Sequence, residues 1–141
     1  MSHLLRSPAR SFLRRAVAAS AVTSVLAAGT LLASPAHAAW TSGASTHGGN
    51  VLVCKVPLGG GDLRVRVRLD NRTAAHPHIG ELFRLRGGTT TRVTVRAAAG
   101  KQSGTKSLRV NRGDAVVGAG IWEVSGGGLG GDLSRARIAR C

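Results

Sequence analysis

The sequence predicts an all-β protein, a small antiparallel β-sandwich or barrel of about six or seven strands after a cleaved signal peptide. Three observations predict this fold class. Apolar and polar residues alternate with a period of two along several runs after residue 50. Turn-forming residues, mainly glycine and asparagine, separate those runs. The same region has no amphipathic stripe at helical spacing.

The first 38 residues have the three parts of a secretory signal in the expected order. A region with four arginines and no acidic residue precedes an apolar region over 16–33 and a small-x-small cleavage pattern over 34–38. We expect cleavage after Ala38, with cleavage after Ala36 as the second choice. The alternative is a retained membrane anchor, but the apolar region is only mildly hydrophobic and the cleavage pattern follows it directly. The sequence therefore predicts a secreted, extracellular protein.

Cleavage after Ala38 divides the chain into a signal peptide (1–38), a flexible mature N-terminus (39–49) and a single β domain (50–141). The remaining length is that of one domain with a modest core. Its aromatic residues are Trp40, Phe83 and Trp122 alone. We therefore expect valine, leucine, isoleucine and alanine to fill the interior.

The strands follow from the alternating runs between predicted turns. Strands are predicted at 51–56, 63–69, 79–86, 92–96, 105–110 and 114–124. Turns or loops are predicted at 59–62, 70–77, 87–88, 97–104 and 111–114, with a flexible glycine loop at 126–131. The last segment, 133–140, fits either a strand or one or two helical turns that open at Asp132, and the pattern slightly favours the strand.

The mature chain has two cysteines, Cys54 and Cys141. In an exported domain, two cysteines most simply form one intramolecular disulfide. This bond would join the first predicted strand to the last residue, and closing so long a loop is worth about 4–5 kcal/mol. Two free thiols, or an intermolecular bond through Cys141, are the alternatives. A regular final strand would turn Cys141 away from Cys54, so the bond requires a bulge or an irregular end after Ala139.

Positive charge dominates the mature chain, which has 16 basic and six acidic residues. Seven arginines occupy alternate positions of three predicted strands: Arg64, Arg66, Arg68, Arg84, Arg86, Arg92 and Arg96. If these strands are neighbours, the arginines share one face, and an anionic partner would relieve their mutual repulsion. This pattern predicts binding to an anionic cell-wall or extracellular polymer; a solvated outer face without a ligand is the alternative. Sequence-specific nucleic-acid binding is not expected, because few aromatic residues remain for base stacking.

One group of residues in the mature chain has side chains that a metal could use. His76 and His78 flank Pro77, and Glu81 follows. Two imidazoles two residues apart lie on one side of an extended segment and suit copper or zinc if a third ligand is present. We interpret them as loop histidines beside a proline turn, and assign no metal site and no cofactor. Cleavage after Ala36 would instead leave His37 as an N-terminal copper ligand.

The sequence lacks the patterns of a hydrolase. G-x-S-x-G is absent, and both cysteines are expected to be oxidised. Nothing in the sequence brings Glu81 and Glu123 together, and we expect Glu123 to be a buried or edge carboxylate paired with an arginine. The prediction is a non-catalytic, secreted, basic domain that binds an anionic polymer. The alternatives are a protein-interaction module, such as an inhibitor of a secreted hydrolase or a surface-assembly protein that binds through loops 73–78 and 126–131, and a small copper carrier.

Overall fold

The computed structural model describes residues 39–141, and the predicted signal peptide lies outside these residues. Within this range the protein is all-β, which confirms the predicted class, and its two antiparallel sheets do not form a closed barrel. The sheets contain nine strands, more than the six or seven that the sequence predicts. The strands are β1 (Thr41–Thr46), β2 (Gly49–Gly59), β3 (Asp62–Asn71), β4 (His78–Arg86), β5 (Thr89–Ala97), β6 (Lys101–Gln102), β7 (Lys106–Val110), β8 (Val116–Glu123) and β9 (Gly128–Asp132). The described residues include no helix long and apolar enough to span a membrane.

The first sheet has the strand order β1-β2-β3, and both β6 and β7 pair with the far edge of β3. Strand β7 pairs with the first half of β3, whereas β6 pairs with its last two residues. The second sheet has the order β5-β4-β8-β9. Strand β4 lies between β5 and β8 over its whole length. Residues at each end of β4 therefore lie beside residues of both neighbouring strands.

The core is formed by the inward-facing side chains of both sheets. On β3, Val65, Val67 and Leu69 are fully buried and alternate with three arginines on the other face. The core cluster consists of aliphatic side chains from seven of the nine strands and from the C-terminal segment: Ala44, Val51, Val53, Val65, Val67, Leu69, Leu82, Val95, Ala97, Leu108, Val110, Val117, Ala119, Ile121 and Ile138. The predicted aliphatic interior is confirmed. The aromatic residues are outside it, half-buried at the surface.

Two of these aromatic residues lie opposite glycines of the neighbouring strand. Phe83 on β4 faces Gly118 on β8, and Trp122 on β8 faces Gly128 on β9. A Cβ atom at Gly118 would collide with the Phe83 ring, whereas one at Gly128 would collide with the Cβ atom of Trp122 and with the backbone of β8. Glycine weakens a strand because it has no side chain to pack, and the Phe83 ring supplies that packing at Gly118.

Strands β1 and β9 lie where the sequence predicts flexible segments. Thr41–Thr46 pairs with β2 across a bulge between Ser42 and Ala44. The glycine-rich Gly128–Asp132 pairs with β8 as the edge of the second sheet. Both segments consist mainly of small residues and therefore show little hydrophobic alternation. Backbone hydrogen bonds to a longer neighbouring strand define these two strands, and the residue pattern of a single sequence does not reveal such pairing.

The Cys54–Cys141 disulfide is present, with a Cα–Cα distance of 5.0 Å across a sequence separation of 87 residues. Cys54 is fully buried on β2. The backbone N–H of Lys55 donates to the carbonyl oxygen of Ala139 (2.8 Å), and the N–H of Cys141 donates to the carbonyl oxygen of Lys55 (3.0 Å). This short parallel bridge places the last residue beside β2.

The segment 133–140 forms a turn, so the favoured strand is wrong here. The N–H of Arg137 donates to the carbonyl oxygen of Ser134 (3.0 Å), and the Lys55 ammonium donates to the carbonyl oxygen of Arg135 (2.6 Å). Ile138 is 2% exposed and anchors the turn in the core. The irregular end that the disulfide requires is therefore a turn, held by the buried Ile138 and by hydrogen bonds that include those from the Lys55 ammonium to the carbonyl oxygens of Arg135 and Ala136.

We predict that replacing both cysteines by alanine lowers the free energy of unfolding by about 4–5 kcal/mol, because the long closed loop is then open in the unfolded chain. Urea unfolding measures this difference. A reducing agent should destabilise the wild type by a similar amount and leave the double variant unchanged. A loss below about 1 kcal/mol on reduction would contradict a stabilising ring closure.

Candidate functional sites: a basic face and a histidine–glutamate cluster

The structure separates the seven predicted anion-binding arginines into three groups: Arg64, Arg66 and Arg68 on β3; Arg84 and Arg86 on β4; and Arg92 and Arg96 on β5. Strands β3 and β5 belong to different sheets. The β4 arginines share the parity of Leu82, which points into the core. The condition that these strands are neighbours in one sheet is therefore not met, and the seven arginines do not share a face.

Arg64, Arg66 and Arg68 together form what we call the basic face, the outward side of β3. They alternate with fully buried residues, and no carboxylate of the described chain lies within 4.0 Å of their guanidinium nitrogens. Arg68 packs against Trp40, with 4.2 Å between its guanidinium carbon and the ring centroid, in a cation–π contact. Trp40 and Arg66 line a shallow depression that also includes Lys106. The surface is thus positive and partly ordered by an aromatic ring.

The two acidic residues of β3 are occupied by other arginines. A hydrogen bond from Arg109 (2.8 Å), with a second from the backbone N–H of Arg112, holds the pKa of Asp62 below its ordinary value. Asp70 accepts from Arg72 (2.7 Å), which likewise lowers the pKa of Asp70. These carboxylates lie at the two ends of β3 and are hydrogen-bonded to arginines outside the basic face, although the charge of Arg68 also acts on Asp70 from a distance.

The arginines of β4, Arg84 and Arg86, contact the turn at 111–114. Nη1 of Arg84 donates to both carboxylate oxygens of Asp114 (3.0 and 3.2 Å), and the side chain of Asp114 is fully buried. Asp114 also accepts from the backbone N–H of Asn111 (2.7 Å). When the Asn111 amide is oriented to satisfy its neighbours, its oxygen accepts from Arg84 (2.8 Å) and Arg86 (3.3 Å). Arg84 therefore ties β4 to the turn at 111–114. The tripeptide Arg112-Gly113-Asp114 is part of that turn.

The arginines of β5 lie on the outer surface of the second sheet. Nη1 of Arg92 is 3.6 Å from Oε2 of Glu81 on β4, and Arg96 is exposed. Glu81 therefore partly balances the charge of this pair. It lies beside an arginine and is not in contact with His76 or His78, which the sequence grouped with it.

A histidine–glutamate cluster, formed by His47, His78 and Glu123, lies at the opposite end of β4 from Arg84. Each residue offers one nitrogen or oxygen atom, and these atoms lie within 4.8 Å of one another. His47 is in the turn between β1 and β2 with a φ of 43°, His78 begins β4, and Glu123 ends β8. His76 borders the cluster, with Nδ1 3.8 Å from Oε1 of Glu123.

Glu123 is paired with histidines and not with the predicted arginine. Its Oε2 is 3.3 Å from Nδ1 of His47, and its Oε1 accepts from the hydroxyl of Ser125 (3.0 Å). The Ser125 hydrogen bond, helped by His76 and His47, holds the pKa of Glu123 below its ordinary value. His47 was missed by sequence reasoning because it stands alone in a stretch of small polar residues and meets Glu123 only through the fold.

No protein-family model, curated protein or solved structure matches this chain. The geometry of the chain alone therefore defines the candidate sites.

We predict that Arg84→Ala destabilises the protein by about 3 kcal/mol, because it leaves the buried Asp114 carboxylate without its counter-ion. Arg92→Ala is the matched control: the Arg92 guanidinium is exposed and lies 3.6 Å from Glu81, too far for a hydrogen bond, so its removal should change stability by less than about 1 kcal/mol. Thermal or urea unfolding of both variants tests the difference. Equal stabilities would show that Arg84 has no special structural role.

Acid should destabilise the protein through Asp62 and Asp70. Their pKa values are lower in the folded state than the ordinary value of 3.8, so the stabilisation is present above about pH 4 and is lost as the pH falls through the folded-state values. Acid titration of the variant Asp62→Asn/Asp70→Asn should show a shallower loss below pH 4 than the wild type. Asp132→Asn, at an exposed position without an ion pair among the described residues, should follow the wild-type curve. Coincident curves for all three proteins would contradict the assignment.

Proposed function

We propose that this protein is a secreted, non-catalytic β-sandwich domain that binds an anionic extracellular or cell-surface polymer through the basic face. The observation that carries the proposal is a row of three arginines, Arg64, Arg66 and Arg68, on one side of a strand, without a carboxylate partner in the described part of the chain. A repeating anion on a linear polymer is the ligand that matches a repeating cation on a strand.

Distance supports the proposal. Alternate residues of a strand are about 7 Å apart along its axis. The Debye length at physiological ionic strength is about 8 Å, so neighbouring arginines of the row still repel one another in salt. A bound polyanion removes this repulsion, and each contact releases counter-ions from the polymer.

The chemistry of arginine and the contact between Arg68 and Trp40 also support the proposal. Arginine presents a planar fork of donors that binds carboxylate, sulfate or phosphate groups in pairs of hydrogen bonds. The contact with Trp40 holds Arg68 before a ligand arrives, which lowers the conformational entropy lost on binding. Lys106, at the margin of the same depression, adds a further positive charge.

The compartment is part of the proposal. The disulfide is compatible with an oxidising, extracellular location, because cytosolic thiols are normally kept reduced. The secretory signal predicted over residues 1–38 agrees with that location.

The alternative function, a protein-interaction module, stays a proposal and has a test of its own. The sequence assigned its contacts to 73–78 and 126–131, but most of the second segment is strand β9, and Pro77 in the first accepts a hydrogen bond from Val124 (3.0 Å). A protein partner held by apolar contacts would stay bound at high salt, whereas a polyanion would be released.

We predict that Arg64→Ser/Arg66→Ser/Arg68→Ser abolishes retention on immobilised heparin at physiological salt. In solution, the slope of log affinity against log salt concentration should fall by about three, one for each lost contact. Isothermal titration with heparin and with a polyglutamate chain separates a preference for sulfate from a general affinity for anions.

The matched control is Arg86→Ser/Arg92→Ser/Arg96→Ser, which removes the same charge from outside the basic face. This variant should keep most of the wild-type affinity. If both triple variants lose affinity equally, net charge alone drives binding and the proposed face is refuted. Unchanged binding by the β3 variant would refute it as well.

A further inference from the structure

We propose that the histidine–glutamate cluster binds one divalent transition-metal ion, zinc or copper(II), through His47, His78 and Glu123. The clustering of three potential ligands is the first observation. A second and independent one is an unpartnered ring nitrogen on a buried histidine.

His78 is 1% exposed, and its two ring nitrogens differ. Nδ1 lies 3.0 Å from the carbonyl oxygen of His76, which is an acceptor, so Nδ1 carries the proton and donates. Nε2 then has a free lone pair, and it makes no hydrogen bond within the described residues. A buried polar atom without a partner is costly and rare in native proteins. A metal ion would satisfy this nitrogen, and a histidine that binds metal typically donates its other N–H to a carbonyl or carboxylate in this way.

Asn71 and the backbone of β2 restrict the position of the His78 ring. Nδ2 of the fully buried Asn71 donates to the same His76 carbonyl oxygen (2.9 Å) and to the carbonyl oxygen of Ala98 (3.0 Å). A Cβ at Gly49 would lie only 3.1 Å from Cγ of His78, so β2 also passes close to the ring. The buried ligand is therefore positioned by the protein before any ion binds.

The donor set selects the class of metal. Two imidazole nitrogens and one carboxylate oxygen form a set typical of zinc and also suit copper(II). Calcium and magnesium prefer sites made of oxygen atoms alone, and copper(I) prefers sulfur. His76 lies close enough to Glu123 to serve as a fourth ligand after a side-chain rotation, and water could take that place instead.

An ion at this position would connect the two sheets. His47 belongs to the turn between β1 and β2 in the first sheet, whereas His78 and Glu123 belong to β4 and β8 in the second. Binding to the folded state alone stabilises it by mass action. We therefore expect metal binding to raise the temperature of thermal unfolding.

The test is isothermal titration of the exported, untagged, chelator-treated protein with zinc and, separately, with copper(II). We expect one ion per chain for at least one of the two metals, accompanied by an increase in the unfolding temperature. Glu123→Gln should weaken that affinity at least tenfold. The matched control is Glu81→Gln, which alters the other glutamate of the described chain, lies beside Arg92 and should keep wild-type affinity.

A second variant covers the case in which Glu123→Gln fails to fold. His47 lies in an exposed turn at positive φ, a conformation that asparagine tolerates, so His47→Asn should fold normally and also weaken binding at least tenfold. Circular dichroism of each metal-free variant checks its folding. His37→Ala separates this site from chelation at a new N-terminus, and copper binding should survive that change.

Three results would overturn the proposal: no saturable binding of either metal, wild-type affinity in folded His47→Asn, or equal losses in Glu123→Gln and Glu81→Gln. Loss of all binding in His37→Ala would assign the ion to the N-terminus instead. None of these four results bears on polymer binding, because the metal ligands and the basic face share no residue.

Discussion

Apolar contact between the inward faces of the two sheets is the constraint on which the other features depend. A strand presents alternate side chains to opposite faces, so burial of Val65, Val67 and Leu69 sends the intervening arginines to solvent. The second sheet obeys the same rule, but its outer face points the other way. The arginines of β3 and β5 are therefore separated by the core, and the basic face is limited to the three on β3. The sheet to which a strand belongs decides which arginines share a surface, whatever the number of arginines along the chain.

The two ends of β4 show what happens where inward-facing positions reach beyond the aliphatic core. At one end, Arg84 faces inward and pairs through Nη1 with the buried carboxylate of Asp114, so each charge has a counter-ion, while Nε of Arg84 makes no hydrogen bond within the described residues. At the other end, His78 faces inward with one nitrogen bonded to a carbonyl oxygen and the other without a partner. An inward charge with a buried counter-ion has a structural role. A buried imidazole with an unpartnered nitrogen, in a cluster with His47 and Glu123, is a candidate ligand, because an imidazole nitrogen can offer a lone pair to a metal whereas a guanidinium group only donates.

Strong local patterns made much of the fold predictable. The alternation along β3 and β5 and the turns that bound β4 correspond closely to the observed strands, and the cysteines pair as expected. Strands β1, β6 and β9 were not predicted. The small residues of β1 and β9 show little alternation, β6 has only two residues, and all three are defined by pairing with neighbouring strands. The turn at the C-terminus was missed for a related reason: it depends on Lys55, which is distant in sequence and donates hydrogen bonds to its carbonyl groups.

The sequence by itself determined the all-β class, the aliphatic interior and the excess of arginine, because periodicity and composition are local properties. Only the tertiary structure decided which strands share a sheet, since that choice rests on hydrogen bonds between residues far apart in the chain. It thereby separated the arginines into three groups and moved Arg84 from a ligand-binding role to a structural one. It also replaced Glu81 by Glu123 and His47 as the neighbours of His78. The sequence specifies which side chains are present, but the packing of two sheets around one core decides which of them lie close together.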